Sequence, residues 1–164
     1  MRYAWRDPQL DDGVLRGDFW LGPGKGGAPD HINPLFAEHC MVISGTADFR
    51  LGNRRWRAVV GEQVVLPSGV PHNFRNAGAD ELQVYVEGHP VEGHPSSEYR
   101  EFLDAVFDHG GPTTSRGLPL NPLRMAVIQA RYPDAIYLAS VPKPLQRGLT
   151  KLLAPLGRML GYRP

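Results

Sequence analysis

The sequence predicts an all-β sandwich or barrel with a helical C-terminal extension. Three observations carry that prediction. Gly (19) and Pro (16) are both frequent, so the chain must reverse direction many times. Seven or so short, β-rich segments succeed one another up to about Val86 with no crossover helix between them, which excludes a parallel sheet. Helical periodicity begins only after Pro95. The expected division is a β unit over residues 1–95 and a helical extension over 96–164 packed on it. A chain of 164 residues can bury a core without disulfide or metal staples.

The elements follow in order. Residues 14–21 read as a strand, then Gly22-Pro-Gly-Lys-Gly-Gly27 as a flexible turn. That stretch lacks the phosphate-cradling pattern, because Gly follows Lys25 and no helix comes after it. Residues 38–43 and 46–51 are strands, the second alternating Ala47, Phe49, Leu51 against Asp48 and Arg50. Gly52-Asn53 signals a hairpin, and Trp56, Ala58 and Val60 continue the alternation on the returning strand. Residues 63–66, 72–75 and 82–87 complete the β series. The tandem Val86-Glu-Gly-His-Pro90 and Val91-Glu-Gly-His-Pro95 reads as a loop, with His89 and His94 in a solvated connector rather than a metal site.

Helical signals then take over. Ser96 or Ser97 is placed to cap a helix whose apolar residues Tyr99, Phe102, Leu103, Val106 and Phe107 fall on one face, stopping at His109-Gly110-Gly111-Pro112. Asn121-Pro122 opens a shorter helix to about Arg131. A last helix, 143–161, is basic and amphipathic. Lys143, Arg147, Lys151 and Arg158 lie within about 80° of arc at 100° per residue, opposite Leu145, Leu149, Leu152, Leu153, Leu156 and Leu160. From Ala135 onward there are five basic residues and no acidic ones, in a chain of net charge +1. Such a helix can dock on the β unit or a second subunit, which is the favoured expectation, or lie on a membrane surface. Gly148, Pro155, Gly157 and Gly161 weaken it in isolation.

Bulk properties exclude several classes. The near-neutral charge argues against a nucleic-acid partner. One cysteine, Cys40, permits no intrachain disulfide. The N-terminus has no apolar segment of a signal peptide, and no apolar run approaches a membrane span. A cytoplasmic location is expected.

Two stretches hold nearly all the polar residues that could act together. The first contains His31, Asn33, Glu38 and Gly45; the second runs from Gly61 through Pro67, Gly69 and His72 to Asn76. Alternation puts His31 and Asn33 on one face, and likewise His72, Phe74 and Asn76. Two imidazoles and a carboxylate suit a borderline divalent ion. His39, next to Glu38 on a strand, points to the opposite face.

In these stretches the sequence resembles the cupin superfamily. The second matches that family's motif G(x)5PxG(x)2H(x)3N at Gly61, Pro67, Gly69, His72 and Asn76. The first matches G(x)5HxH(x)3–4E(x)6G at His31, Glu38 and Gly45. The motif's leading glycine is out of register, and Asn33 replaces its second histidine. The resemblance implies a double-stranded β-helix (jelly roll, cupin-like) barrel. It also implies one divalent transition metal (Fe, Mn, Ni, Co or Zn) held by His31, Glu38 and His72. Asn33 is then a weak fourth ligand or a donor behind the ligands. A small-molecule ligand would sit in the barrel, lined by Cys40, Val42 and Phe74. Cys40 reads as a small hydrophobe, not a nucleophile. The implied function is metal-dependent small-molecule chemistry of the dioxygenase, isomerase, decarboxylase or lyase kind. The alternative is a non-catalytic binding or sensing cupin whose basic tail contacts a membrane or protein partner. Cupins often dimerise, so a homodimer stands as a candidate assembly.

Overall fold

The computed structural model describes residues 1–6, 13–107 and 121–164. The elements are β1 (Arg2–Trp5), β2 (Leu15–Leu21), β3 (His31–Ile32), β4 (Phe36–Ser44), β5 (Thr46–Leu51), β6 (Arg54–Val59), β7 (Gln63–Leu66), β8 (His72–Asn76), β9 (Leu82–Pro90), α1 (Ser96–Phe107), α2 (Pro122–Arg131), β10 (Tyr137–Leu138) and α3 (Lys143–Met159). The strands form two antiparallel five-stranded sheets, ordered β1-β2-β9-β4-β7 and β10-β3-β8-β5-β6.

Strand alternation makes each sheet one-sided. On β4, Phe36, Glu38, Cys40 and Val42 are buried while His39 is exposed. On β9, Leu82, Val84 and Val86 point inward. These residues and Leu21, Ala47, Phe49 and Leu66 make the core between the sheets. Burying aliphatic and aromatic side chains on both inner faces is what holds the two sheets together. Gly45 carries the β4–β5 turn with φ +80°, and a Cβ there would lie 3.0 Å from the Glu81 carbonyl oxygen. Both the dihedral and the space call for glycine.

The all-β expectation needs two corrections. Among the described residues the ladder does not pass from one sheet to the other, so the architecture is a two-sheet sandwich, not a closed barrel. Three helices among the described residues belong to the fold as well. A second core joins strand residues Leu15 and Phe36 to Tyr99, Phe102, Val106, Ile128 and Ile136 of the extension. Helical residues thus complete the burial of one end of the sandwich.

Other expectations shift in detail. The first pentapeptide copy is strand, since β9 continues to Pro90 paired with Phe36; only the second copy forms a turn. Gly and Pro signalled a loop, but Glu87 and His89 keep their ladder partners on β4. Ser96 and Ser97 lie inside α1 rather than at the position before it, and the Ser96 hydroxyl donates to the Gly13 carbonyl. The stop signal expected at residues 109–112 lies outside the described residues. Asn121 does cap α2, its Oδ1 accepting from the Leu123 and Arg124 amides. Strands β1 and β10 carry no clear sequence signal; each is an edge strand held by its neighbour.

α3 docks on α2 chiefly through small residues, with only Leu153 of its leucine row half-buried. Ala154 and Gly157 are the buried positions, and a Cβ on Gly157 would stand 2.7 Å from Val127 Cγ2 and 2.8 Å from the Leu123 carbonyl oxygen. Small residues allow the helices this close approach. Leu145, Leu149, Leu152, Leu156 and Leu160 stay exposed. Lys143 and Arg147 pair with Asp134 beside the Tyr137 ring.

Candidate metal centre

His31 and His72 are register partners on the β3–β8 ladder, with ring centroids 4.4 Å apart at 63°. Glu38 reaches them from β4 of the facing sheet. Ligand atoms of the three lie within 4.8 Å of one another, and all three residues are buried. The site therefore sits where the two sheets face each other.

Each imidazole is set in one tautomer by the backbone. His31 Nδ1 lies 2.8 Å from the Pro29 carbonyl oxygen, and His72 Nδ1 lies 2.8 Å from that of Val70. A carbonyl can only accept, so Nδ1 carries the proton and the neutral ring keeps its lone pair on Nε2. His72 Nε2 is buried without a hydrogen-bond partner, 3.6 Å from Glu38 Oε2.

The other oxygen of Glu38 is engaged. Oε1 accepts from the Tyr99 hydroxyl at 2.8 Å and from Asn33 Nδ2 at 2.9 Å. A carboxylate accepts only, so the Asn33 amide must turn its nitrogen toward it. Asn33 thus stands behind the carboxylate as a donor, while its buried Oδ1 has no hydrogen-bond partner. In the sequence Tyr99 belongs only to the apolar face of α1. The one signal available there was a hydroxyl on an otherwise apolar stripe.

The electrostatics favour an ionised Glu38, with His31 held neutral and His72 drawn toward its charged form. Burial opposes the Glu38 charge, but His72, His31 and the Tyr99 hydroxyl outweigh it and hold the carboxyl at about 2. Burial, reinforced by the neighbouring His72, pushes His31 down to about 4, leaving it neutral at pH 7. For His72 burial acts downward, yet the Glu38 carboxylate prevails and its pKa is raised. Burial and the Glu38 charge push the Tyr99 hydroxyl well above its usual value, so it remains a donor.

A cavity of about 60 Å³ opens onto His31 and Glu38. Its walls are mainly apolar: Trp5 of β1, Phe19 of β2, Phe74 of β8, and Tyr99, Leu103 and Phe107 of α1. Of the residues expected to line it, Phe74 does. Cys40 and Val42 lie instead in the packed core, and burial raises the Cys40 thiol pKa well above the ordinary value. Asn76 is structural, its amide spanning the Leu21 and Asp80 carbonyls and the Gly78 amide. His94 is exposed at the turn. His89, by contrast, is brought beside Glu87 and His39 on the outer face of the sheet.

A two-sheet antiparallel sandwich with two histidines and a glutamate converging between its sheets is the architecture of a double-stranded β-helix protein. The chain belongs to the cupin family: the Cupin domain family matches residues 18–99, half of its length. No curated protein matches it. Among solved structures it is similar to the cupin domain of Schizosaccharomyces pombe Cnp3, with 12% identity and a TM-score of 0.50 over 54% of this chain and 60% of that one. The chain thus spans less than two thirds of that domain. It is also similar to an uncharacterized conserved protein with a double-stranded beta-helix domain from Klebsiella pneumoniae (20% identity, TM-score 0.49, 57% and 79% of the two chains). A third likeness is to a Cupin 2 conserved barrel domain protein from Salinispora arenicola (19%, 0.48, 53% and 73%). At such identities the likeness concerns the fold. Among the described residues, no helix is long and apolar enough to cross a membrane.

Proposed function

We propose that the protein is a metal-dependent cupin enzyme acting on a small organic molecule, with one divalent transition ion (Fe, Mn, Ni, Co or Zn) held by His31, Glu38 and His72. The observation that carries this reading is the state of His72 Nε2. It is a buried ring nitrogen with no hydrogen-bond partner, facing a carboxylate oxygen at 3.6 Å. A structural histidine–glutamate pair would close to about 2.8 Å. Two ligands sharing a tetrahedral ion at bonds of about 2.1 Å stand about 3.4 Å apart. The spacing here is that of co-ligands.

When bound, such an ion supplies Lewis acidity or, if redox-active, dioxygen activation, which spans dioxygenase, isomerase, decarboxylase and lyase chemistry. The chain's own residues do the rest. Tyr99 and Asn33 fix the Glu38 carboxylate so that Oε2 faces the histidines. The Pro29 and Val70 carbonyls fix the ring tautomers. Trp5, Phe19, Phe74 and Phe107 line the approach to the centre with apolar surface, which lowers the polarity around the charges inside. Their apolar surface suits a substrate with an apolar body and one polar group directed at His31 and Glu38.

The test is the metal content of purified protein by plasma mass spectrometry, beside His72→Ala. Near-stoichiometric metal that disappears in the variant supports the reading. Protein that stays empty after reconstitution with each ion sinks it.

A second reading is favoured by one observation, the exposed leucine row of α3. It is a non-catalytic binding cupin whose tail lies on an anionic membrane surface, with Lys151 and Arg158 on the polar side. Co-sedimentation with anionic vesicles, lost in Leu149→Ser/Leu152→Ser/Leu156→Ser, supports it. No sedimentation argues against it, and retention by a protein partner alone replaces the membrane.

A further inference from the structure

The outer face of the β4–β9 ladder carries a second cluster with the same donors as the interior one. His39 and Glu87 are direct register partners, and His89 follows Glu87 by two residues, so all three project on one side. The rings of His39 and His89 are 4.2 Å apart between centroids. One ligand atom from each of the three residues falls within 4.8 Å of the others. His39 is exposed, and Glu87 and His89 are half-buried, so an ion can reach them from solvent.

The carboxylate is held as Glu38 is held inside. Glu87 Oε1 accepts from the Tyr85 hydroxyl at 2.8 Å and faces Arg16 Nε at 3.5 Å. Its other oxygen, Oε2, is turned to His89 Nε2 at 3.1 Å. In both clusters a tyrosine fixes one oxygen and an imidazole faces the other. Arg16 and Tyr85 thus leave the second oxygen pointed at the two rings. At 3.1 Å the pair is hydrogen-bonded without an ion, and the two need part by only a few tenths of an ångström to reach the roughly 3.4 Å of two ligands on a tetrahedral ion. Two imidazoles and one carboxylate with open positions form a donor set for Zn²⁺ and its neighbours, not for Mg²⁺ or Ca²⁺.

We propose that His39, Glu87 and His89 form a second divalent transition-metal site on the outer sheet surface, separate from the interior centre. It draws its strand positions from the first VEGHP copy, whose Glu and His sit two apart on β9. The second copy supplies no such pair, because it lies in a turn.

The experiment is Zn²⁺ titration of the full chain against a chromophoric chelator, in wild type, His39→Gln, His89→Gln and His72→Ala. Two equivalents in wild type are expected. One should be lost, or weakened at least about tenfold, in each outer variant, and the other in His72→Ala. His39 and His89 are outside the core, so their variants should fold as wild type, which circular dichroism checks. A single equivalent lost in the outer variants and kept in His72→Ala supports the outer site while overturning the interior one. Zn²⁺ binding unchanged in both His39→Gln and His89→Gln overturns the outer site, whatever His72→Ala does.

Discussion

The hydroxyl of Tyr99, on α1, donates at 2.8 Å to Oε1 of Glu38, a residue 61 positions earlier on β4. A helix outside the β sandwich thereby orients the carboxylate of the candidate metal centre. Tyr99 also stacks on Phe36 with centroids 4.6 Å apart, which fixes where the hydroxyl falls. Tyr99→Phe should keep the stack and lose the hydrogen bond to Glu38 together with the one the hydroxyl accepts from Asn33 Nδ2 at 3.2 Å. We expect metal affinity to drop about 10- to 100-fold, as for other residues that orient a ligand, and folding stability by about 1–3 kcal/mol. Chelator competition and urea denaturation measure the two effects.

Asn33→Asp places a second carboxylate where the Asn33 amide now donates to Glu38 Oε1 at 2.9 Å. Both positions are buried. Two adjacent carboxylates cannot both ionise cheaply, so one retains a proton to higher pH. Its folded pKa is then raised above the unfolded value, so the penalty is small below the unfolded carboxylate range and grows as pH rises. At pH 7 the loss should be several kcal/mol. Parallel urea titrations at pH 4 and pH 7 read it; equal losses at both would refute the account.

Two glycines of α3 should respond oppositely to alanine. At Gly157 a methyl group meets Val127 and the Leu123 backbone below 3.0 Å, so Gly157→Ala should cost about 1–3 kcal/mol by pushing α3 off α2. Gly148 has nothing within 4 Å, and Gly148→Ala should stabilise by up to about 1 kcal/mol through helix propensity. Thermal melts of the two variants give opposite shifts in Tm.

Asp18 on β2 accepts from Arg6 Nη2 at 2.8 Å and from Gln83 Nε2 at 2.9 Å. The Arg6 hydrogen bond lowers its pKa, burial opposes, and Gln83 adds to the lowering. A depressed folded pKa contributes stability that is full above the unfolded value near 3.8. That contribution is lost as pH falls through the lower folded value. Asp18→Asn should therefore be less stable than wild type at pH 6, and the gap should narrow below about pH 4. Urea midpoints against pH test this, and a gap that persists at low pH contradicts it.

Much of this was legible in local pattern. The alternation of Ala47, Phe49 and Leu51 and the Gly52-Asn53 hairpin mark β5 and β6, because strand period and turn chemistry act over a few residues. His31, Glu38, His72 and the turn glycines kept a spacing that needs no coordinates to read. The Asn121-Pro122 start of α2 likewise follows from local capping chemistry. Contacts between distant segments left no such trace. Tyr99 meets Glu38 only because α1 folds over the sandwich end, and nothing local separates it from the other apolar residues of its helix. The first VEGHP copy joins β9 because β4 offers it a ladder, overriding glycine and proline signals, and that pairing is what gathers His39, Glu87 and His89. Nor could periodicity say which side of α3 would be covered. Helix contact there depends on how closely two backbones can approach, so Ala154 and Gly157 decide it and most of the larger leucines are left outside. The sequence by itself determined the strand pattern, the family motifs and the grouping of His31, Glu38 and His72. Tertiary structure decided the residues that orient those side chains, the open two-sheet architecture and the outer cluster, because each depends on a geometry that only long-range packing creates.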